Sequence, residues 1–188
     1  GDNDQDILTS SCQDSMVVWL ENIDGQGNYG PEQIVHASAK NVESVYTSDL
    51  DGDGDLDVLT ASFNSNEVGW HENTDGNASF GPRQIISSSV SGARSVYSTD
   101  VDEDGDQDVL VASYWNNKIF WFENTDGAGT FGPPQQITDK VVDIESVYTN
   151  DLDGDGDPDV LSASSWDNKI AWYENTDGKG AYGKQRMI

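Results

Sequence analysis

The residues with most chemistry to offer are carboxylates at a fixed spacing. Asp49, Asp51, Asp53, Asp55 and Asp57 lie in one nine-residue stretch, Asp-Leu-Asp-Gly-Asp-Gly-Asp-Leu-Asp. The spacing returns at Asp100, Asp102, Asp104, Asp106 and Asp108, and again at Asp151, Asp153, Asp155, Asp157 and Asp159. A shortened copy near the N-terminus keeps Asp2, Asp4 and Asp6. Like charges packed this closely repel one another strongly, and a hard divalent cation with oxygen ligands is the natural counter-charge. The side chains at positions 1, 3, 5 and 9 are the candidate ligands. Gly54, Gly105 and Gly156 at position 6 permit a sharp turn, and the seventh residue offers its main-chain carbonyl. No soft donor accompanies them, so calcium is the expected metal. The shortened loop is expected to bind weakly unless another chain supplies ligands.

Two other readings fail. An EF-hand needs Glu at position 12, where this chain has Thr60, Val111 and Ser162. The segments that follow, such as Val58-Leu59-Thr60-Ala61-Ser62, favour strand over helix. A merely solvated acidic turn would not require the same Asp spacing three times over.

The elements that hold these loops are set by repetition. Val17-Val18-Trp19-Leu20-Glu21-Asn22 recurs around Trp70, Trp121 and Trp172, each 51 residues on. Asp-Gly turns at Asp24, Asp75, Asp126 and Asp177 keep that period, as do Ser44-Val45-Tyr46, Ser95-Val96-Tyr97 and Ser146-Val147-Tyr148. Each repeat reads as four strands: A near Glu43–Leu50, then the acidic loop, B near Val58–Phe63, C near Glu67–Asn73 and D near Gln84–Ser88. Strand C is apolar on both faces, as in a sheet covered on both sides. An all-β fold of propeller blades, each of four antiparallel strands, follows. A β-solenoid fits the tight Asp-Gly hairpin turns less well. The chain is expected to be one repeat domain of nearly four blades, an open or partial propeller. The first blade, 1–39, lacks strand A; the others are 40–90, 91–141 and 142–188.

Composition narrows the function. The chain has 188 residues and a formal net charge of −26, with only 35% hydrophobic residues. Six Trp, seven Tyr and five Phe at regular positions nevertheless argue for a packed core. So acidic a surface disfavours nucleic acid. No apolar run reaches membrane-span length and no signal peptide is visible; without a starting Met, the chain reads as a mature or excised piece. Cys12 stands alone, so no internal disulfide forms; a small buried hydrophobe is its expected role. Asn77-Ala78-Ser79 is a glycosylation sequon on a turn. Calcium loops of modest affinity suit a calcium-rich extracellular or periplasmic setting.

The Asp-x-Asp-x-Asp-Gly-x-x-Asp loops resemble the FG-GAP (VCBS-type) repeats of integrin α-subunit propellers and of many secreted bacterial proteins. The resemblance covers the whole chain. It implies calcium between strands A and B of each blade, and an extracellular or cell-surface, secreted protein. Two features depart from it. Thr60-Ala61-Ser62 and its copies replace the Gly-Ala-Pro element, and about seven blades usually close such a ring.

Strand alternation puts the acidic loops and the Asp-Gly turns at one end, and the B–C and D–A connections at the other. The B–C turns diverge, as binding loops on a fixed scaffold do. There Trp115 with Asn116, and Trp166 with Asp167, are candidates to stack on and hydrogen-bond a glycan; the plainer alternative packs both rings between blades. Two function classes stay open. One is a calcium-stabilised binding or adhesion module for glycan or protein. The other is a structural repeat that assembles with further copies into a larger propeller or fibre. An enzyme is not expected, because His36 and His71 form no recognisable catalytic arrangement; a propeller-type polysaccharide lyase is the least supported reading. The last blade is expected to leave an apolar face open through Trp172 and Tyr173, so that the piece associates with copies of itself or with further repeats.

Overall fold

A computed structural model describes residues 4–11, 13–38 and 40–188. Asp2 and Cys12 fall outside these residues. Among the described residues, fifteen strands form four antiparallel sheets in simple meander order. The first holds β1 (Ile7–Ser11), β2 (Met16–Leu20) and β3 (Gln33–His36). The second holds β4 (Val42–Ser48), β5 (Asp57–Ser62), β6 (Glu67–His71) and β7 (Gln84–Ser87). The third holds β8 (Ala93–Thr99), β9 (Asp108–Ser113), β10 (Lys118–Phe122) and β11 (Gln135–Thr138). The fourth holds β12 (Ile144–Asn150), β13 (Asp159–Ser164), β14 (Lys169–Tyr173) and β15 (Arg186–Met187). These are propeller-like blades in a row that does not close. Among the described residues no helix is long and apolar enough to cross a membrane.

The core lies between sheets rather than within one. Along β9, Val109 and Val111 pack back onto the second sheet, while Leu110 and Ala112 pack forward onto the fourth. Period-two alternation with both faces apolar is what a stacked blade requires. The innermost strands also form a ladder: the rings of Tyr46 and Tyr97 lie 4.6 Å apart, and those of Tyr97 and Tyr148 lie 4.7 Å apart. Beside this ladder Arg94 joins three innermost strands, reaching Glu43 at 3.3 Å and Glu145 at 2.8 Å.

The fourth sheet turns an apolar face outward. Ile170 is 56% exposed, whereas its counterparts Val68 and Ile119 are fully buried. Trp172 shares that open face and is partly covered by the Arg186 guanidinium, 4.7 Å from the ring centre. Tyr173, expected beside it, instead packs inward against the third sheet. Adjacent residues of a strand take opposite faces, so Trp172 and Tyr173 cannot share one.

The first and second sheets meet less tightly than the others. In the later interfaces a strand-C Trp lies on a glycine of the next blade's C–D turn. Trp70 lies on Gly129 and Trp121 on Gly180, so closely that a Cβ at either glycine would penetrate the ring. The equivalent of these glycines in the second blade is Ala78, which keeps the left-handed backbone (φ +62°) and adds the methyl. Its partner Trp19 is only half-buried and lines a cleft of about 900 Å³ between the two sheets. Ala78→Gly removes both the left-handed penalty and the obstructing methyl, and is expected to stabilise the chain by about 1 kcal/mol. Gly129→Ala is expected to destabilise it by about 1–3 kcal/mol through overpacking. Thermal melts of the two variants check this pair of opposite signs.

Candidate metal centre

Each acidic loop is folded by its own carboxylates before any ion is considered. Asp49 Oδ2 accepts the Gly54 N–H at 3.0 Å, and Asp100 and Asp151 repeat this with Gly105 and Gly156 at 3.0 and 3.2 Å. Asp53 Oδ1 accepts the Asp55 N–H at 2.8 Å, with Asp104 and Asp155 again equivalent. The position-6 glycines have φ between +95° and +106°, which an L side chain rarely adopts. Such short Asx bonds curl the loop so that its carboxylates converge.

They converge as groups of three. One oxygen from each of Asp49, Asp51 and Asp53 lies within 4.8 Å of the others, as do oxygens of Asp100, Asp102 and Asp108, and of Asp151, Asp153 and Asp159. Asp49 Oδ1 and Asp102 Oδ1 are buried without a hydrogen-bond partner. A buried carboxylate oxygen with no donor is costly, and a cation supplies what it lacks. All donors are oxygens, with room for further ligands from main chain and water, which fits a hard divalent metal. The electrostatics agree. Burial, and then the neighbouring carboxylate of Asp53 or Asp104, raise the pKa values of Asp51 and Asp102 above the ordinary carboxylate range. Positive charge would reverse both shifts.

The ninth position has a structural role of its own. Asp57, Asp108 and Asp159 are fully buried. Their Oδ2 atoms accept the N–H of Leu50, Val101 and Leu152 at 2.8, 2.9 and 3.0 Å. Their Oδ1 atoms accept the N–H of Asn73, Asn124 and Asn175 at 2.8, 2.7 and 2.9 Å. One carboxylate therefore ties the end of strand A to the end of strand C. Each oxygen keeps a further lone pair for a metal. Burial pushes Asp57 up to about 6 and Asp108 to about 7, despite the opposing N–H donors.

The seventh position faces elsewhere. The side chains of Asp55, Asp106 and Asp157 lie against Gly76, Gly127 and Gly178 of the Asp-Gly turns. That explains why those turns carry glycine, and their side chains are directed away from the three-carboxylate groups. In the shortened loop, Asp4 lies against Gly25 in the same way, and Asp6 accepts the Asn22 N–H at 2.8 Å. Among the described residues, the three-carboxylate group forms only in the three complete loops.

The constant Asn after each strand C went unassigned in the sequence, although its 51-residue period was visible. Asn124 Nδ2 donates to Leu50 O and Asn175 Nδ2 to Val101 O, both at 2.9 Å, linking the acidic loops of the second and third blades to the blades that follow. Sequence reasoning also missed that His36 and His71 meet, with ring centres 4.9 Å apart. His71 Nδ1 faces Gly81 O at 3.0 Å, and burial lowers the pKa of both imidazoles.

At the opposite end, the two tryptophans differ: Trp115 reaches Phe63 of the preceding blade, their ring centres 4.7 Å apart, whereas Trp166 is largely in water. Trp166 is 76% exposed; Trp115 is 51% exposed, edge-on to Phe63. Asn116 is exposed beside it. Asp167 is committed to its own turn, accepting from Ser164 Oγ and pairing with Lys169 at 2.9 Å. The B–C turns of the second and third blades are tied to the next D–A connection, Asn66 Oδ1 and Asn117 Oδ1 accepting the N–H of Gly92 and Asp143 at 2.8 and 3.0 Å.

Stacked antiparallel sheets, the three four-stranded ones each with an acidic loop between the first two strands, define a β-propeller-type repeat protein with candidate metal loops. The chain belongs to the FG-GAP-like repeat family, whose model matches residues 1–60, 49–111 and 100–162. No curated protein sequence matches it. Among solved structures it is similar to an Agrocybe aegerita lectin described as specifically recognising non-reducing terminal N-acetylglucosamine. That match has 21% identity and a TM-score of 0.67, covering 93% of this chain and 46% of the lectin. The V. cholerae biofilm matrix protein Bap1 matches at 22% identity and TM-score 0.57, over 95% of this chain and 26% of that one. The NanB sialidase from Streptococcus pneumoniae matches at 10% identity and TM-score 0.59, over 89% and 27% respectively. These likenesses show the fold, and the chain spans less than half the length of each structure.

The doubled role of position nine separates structure from ligation. Asp108→Ala strands two buried N–H groups and is expected to cost about 3 kcal/mol or more, with or without metal. Asp104→Ala is expected to lose part of the calcium-dependent stability and, without metal, only its bond to the Asp106 N–H. Melts of both variants in calcium and in chelator measure the difference.

Proposed function

We propose that the chain is a calcium-stabilised extracellular binding module whose B–C face takes a glycan. The observation that carries this reading is Trp166, 76% exposed on a turn braced by Ser164, Asp167 and Lys169. Exposing so large an apolar ring costs about 25 cal/mol per Å², and a flat ring in water suits the apolar face of a pyranose. Trp115 and Asn116 supply the same pair of chemistries one blade away. Calcium is supported by the all-oxygen clusters and their partnerless buried oxygens. An extracellular setting accords with that metal and with the matrix protein and lectin it is similar to. We propose no catalytic role, since the carboxylate clusters are accounted for by metal and by loop structure.

A second reading, a structural repeat that assembles with further repeats, is favoured by the open apolar face around Ile170 and Trp172.

The test is a glycan array probed in calcium, followed by titration of any hit. The glycan reading expects saturable binding that Trp166→Ala weakens about tenfold or more, on the scale of a lost aromatic hot spot, while leaving the melting temperature unchanged. Absence of any glycan signal, together with concentration-dependent association, would favour the structural repeat.

A further inference from the structure

The chain has only two histidines, and the fold brings them together between the first and second sheets. His36 closes β3 and is half-buried; His71 closes β6 and is 2% exposed. Their ring centres lie 4.9 Å apart, with the planes tilted by 52°. Later repeats carry Ser87 with Phe122, and Thr138 with Tyr173, at the same two positions. A blade of this kind therefore needs neither imidazole.

Hydrogen bonding fixes which nitrogens keep their lone pairs. His71 Nδ1 lies 3.0 Å from Gly81 O. A carbonyl oxygen only accepts, so Nδ1 carries the proton and Nε2 holds the lone pair. That Nε2 is buried and has no hydrogen-bond partner, which is costly. A backbone hydrogen bond at Ser38 likewise favours a proton on one nitrogen of His36. Imidazoles that ligate metals have this form, one N–H held by a carbonyl and the other nitrogen bare.

Spacing and charge suit a shared ion. Imidazole nitrogens bound to one metal at about 2.0–2.1 Å set the ring centres about 5 Å apart. Burial lowers both pKa values, so protons do not occupy the bare nitrogens at neutral pH. Arg83, the cation whose charge reaches both rings, is neutralised by Glu67 at 2.8 Å. Among the described residues no third His, Cys, Asp or Glu completes a cluster here, which leaves the other coordination positions to water or an added ligand.

We propose that this joint binds one transition-metal ion of the zinc type through His36 and His71. Imidazole suits such ions, whereas carboxylate and carbonyl oxygens suit calcium, so the site is chemically distinct from the acidic loops. Each sheet supplies one ligand. The ion would thus clamp the first blade to the second, at the joint that Ala78 loosens.

The experiment titrates zinc chloride by calorimetry into the chain in saturating calcium, so that the acidic loops are offered their own metal first. The joint predicts one bound zinc ion, a melting temperature raised by zinc, and ring resonances of both histidines that shift together. His36→Ser and His71→Phe install the residues of the next repeat. Each should weaken zinc binding tenfold or more while leaving the zinc-free melt near that of the unaltered chain. If His71→Phe fails to fold, His36→Ser at its half-buried position decides alone. Zinc binding unchanged by His36→Ser would place the ion on carboxylates and overturn the proposal. So would the absence of zinc binding at millimolar concentration.

Discussion

A carboxylate wholly withdrawn from water sits at the centre of each complete repeat, and the rest of the blade is arranged around it. Asp57, Asp108 and Asp159 accept one N–H from the end of strand A and one from the end of strand C. Those bonds close the acidic loop and bring its other carboxylates together. The arrangement is strained electrostatically, because burial and like charge both disfavour the ionised forms. Two N–H donors per carboxylate offset part of this, and a divalent cation beside it would offset most of the remainder. Loop and sheet are therefore one cooperative unit, and a bound metal would be part of it.

The same loop end also joins neighbouring blades. Asn124 and Asn175 reach back to carbonyls in the preceding acidic loop, while the strand-C tryptophans press onto glycines of the following turn. Polar ties at the loop end and apolar burial along the strands act on the same interface. A repeat array of this kind gains stability from nearest-neighbour contacts, so a weakened joint stays local. Ala78 makes such a joint: its methyl stands where the later blades have none, and the cleft opens beside Trp19.

Much of this was legible in the sequence because the period never slips. Four-strand blades, the loop between strands A and B, and the placement of Asp-Gly turns at the same end all follow from 51-residue repetition with strand alternation. Strand A was read as running to Leu50 but ends at Ser48, because Asp57 captures the Leu50 N–H for the loop. Alternation says that Trp172 and Tyr173 take opposite faces but not which face looks outward, and that depends on blade order. The staple role of position nine was hidden because a buried hydrogen-bond acceptor and a metal ligand call for the same residue. The contact of His36 with His71 arises between sheets, where no repeat pattern points.

Calcium titration of the metal-free chain, read by calorimetry and by thermal melting on one sample, tests the account most directly. The account predicts three calcium ions per chain. At a hundred-fold excess over the dissociation constant each contributes roughly 2.7 kcal/mol, so excess chelator lowers the melting temperature sharply. A melting curve unchanged by chelator, or a titration showing no bound calcium, would contradict it.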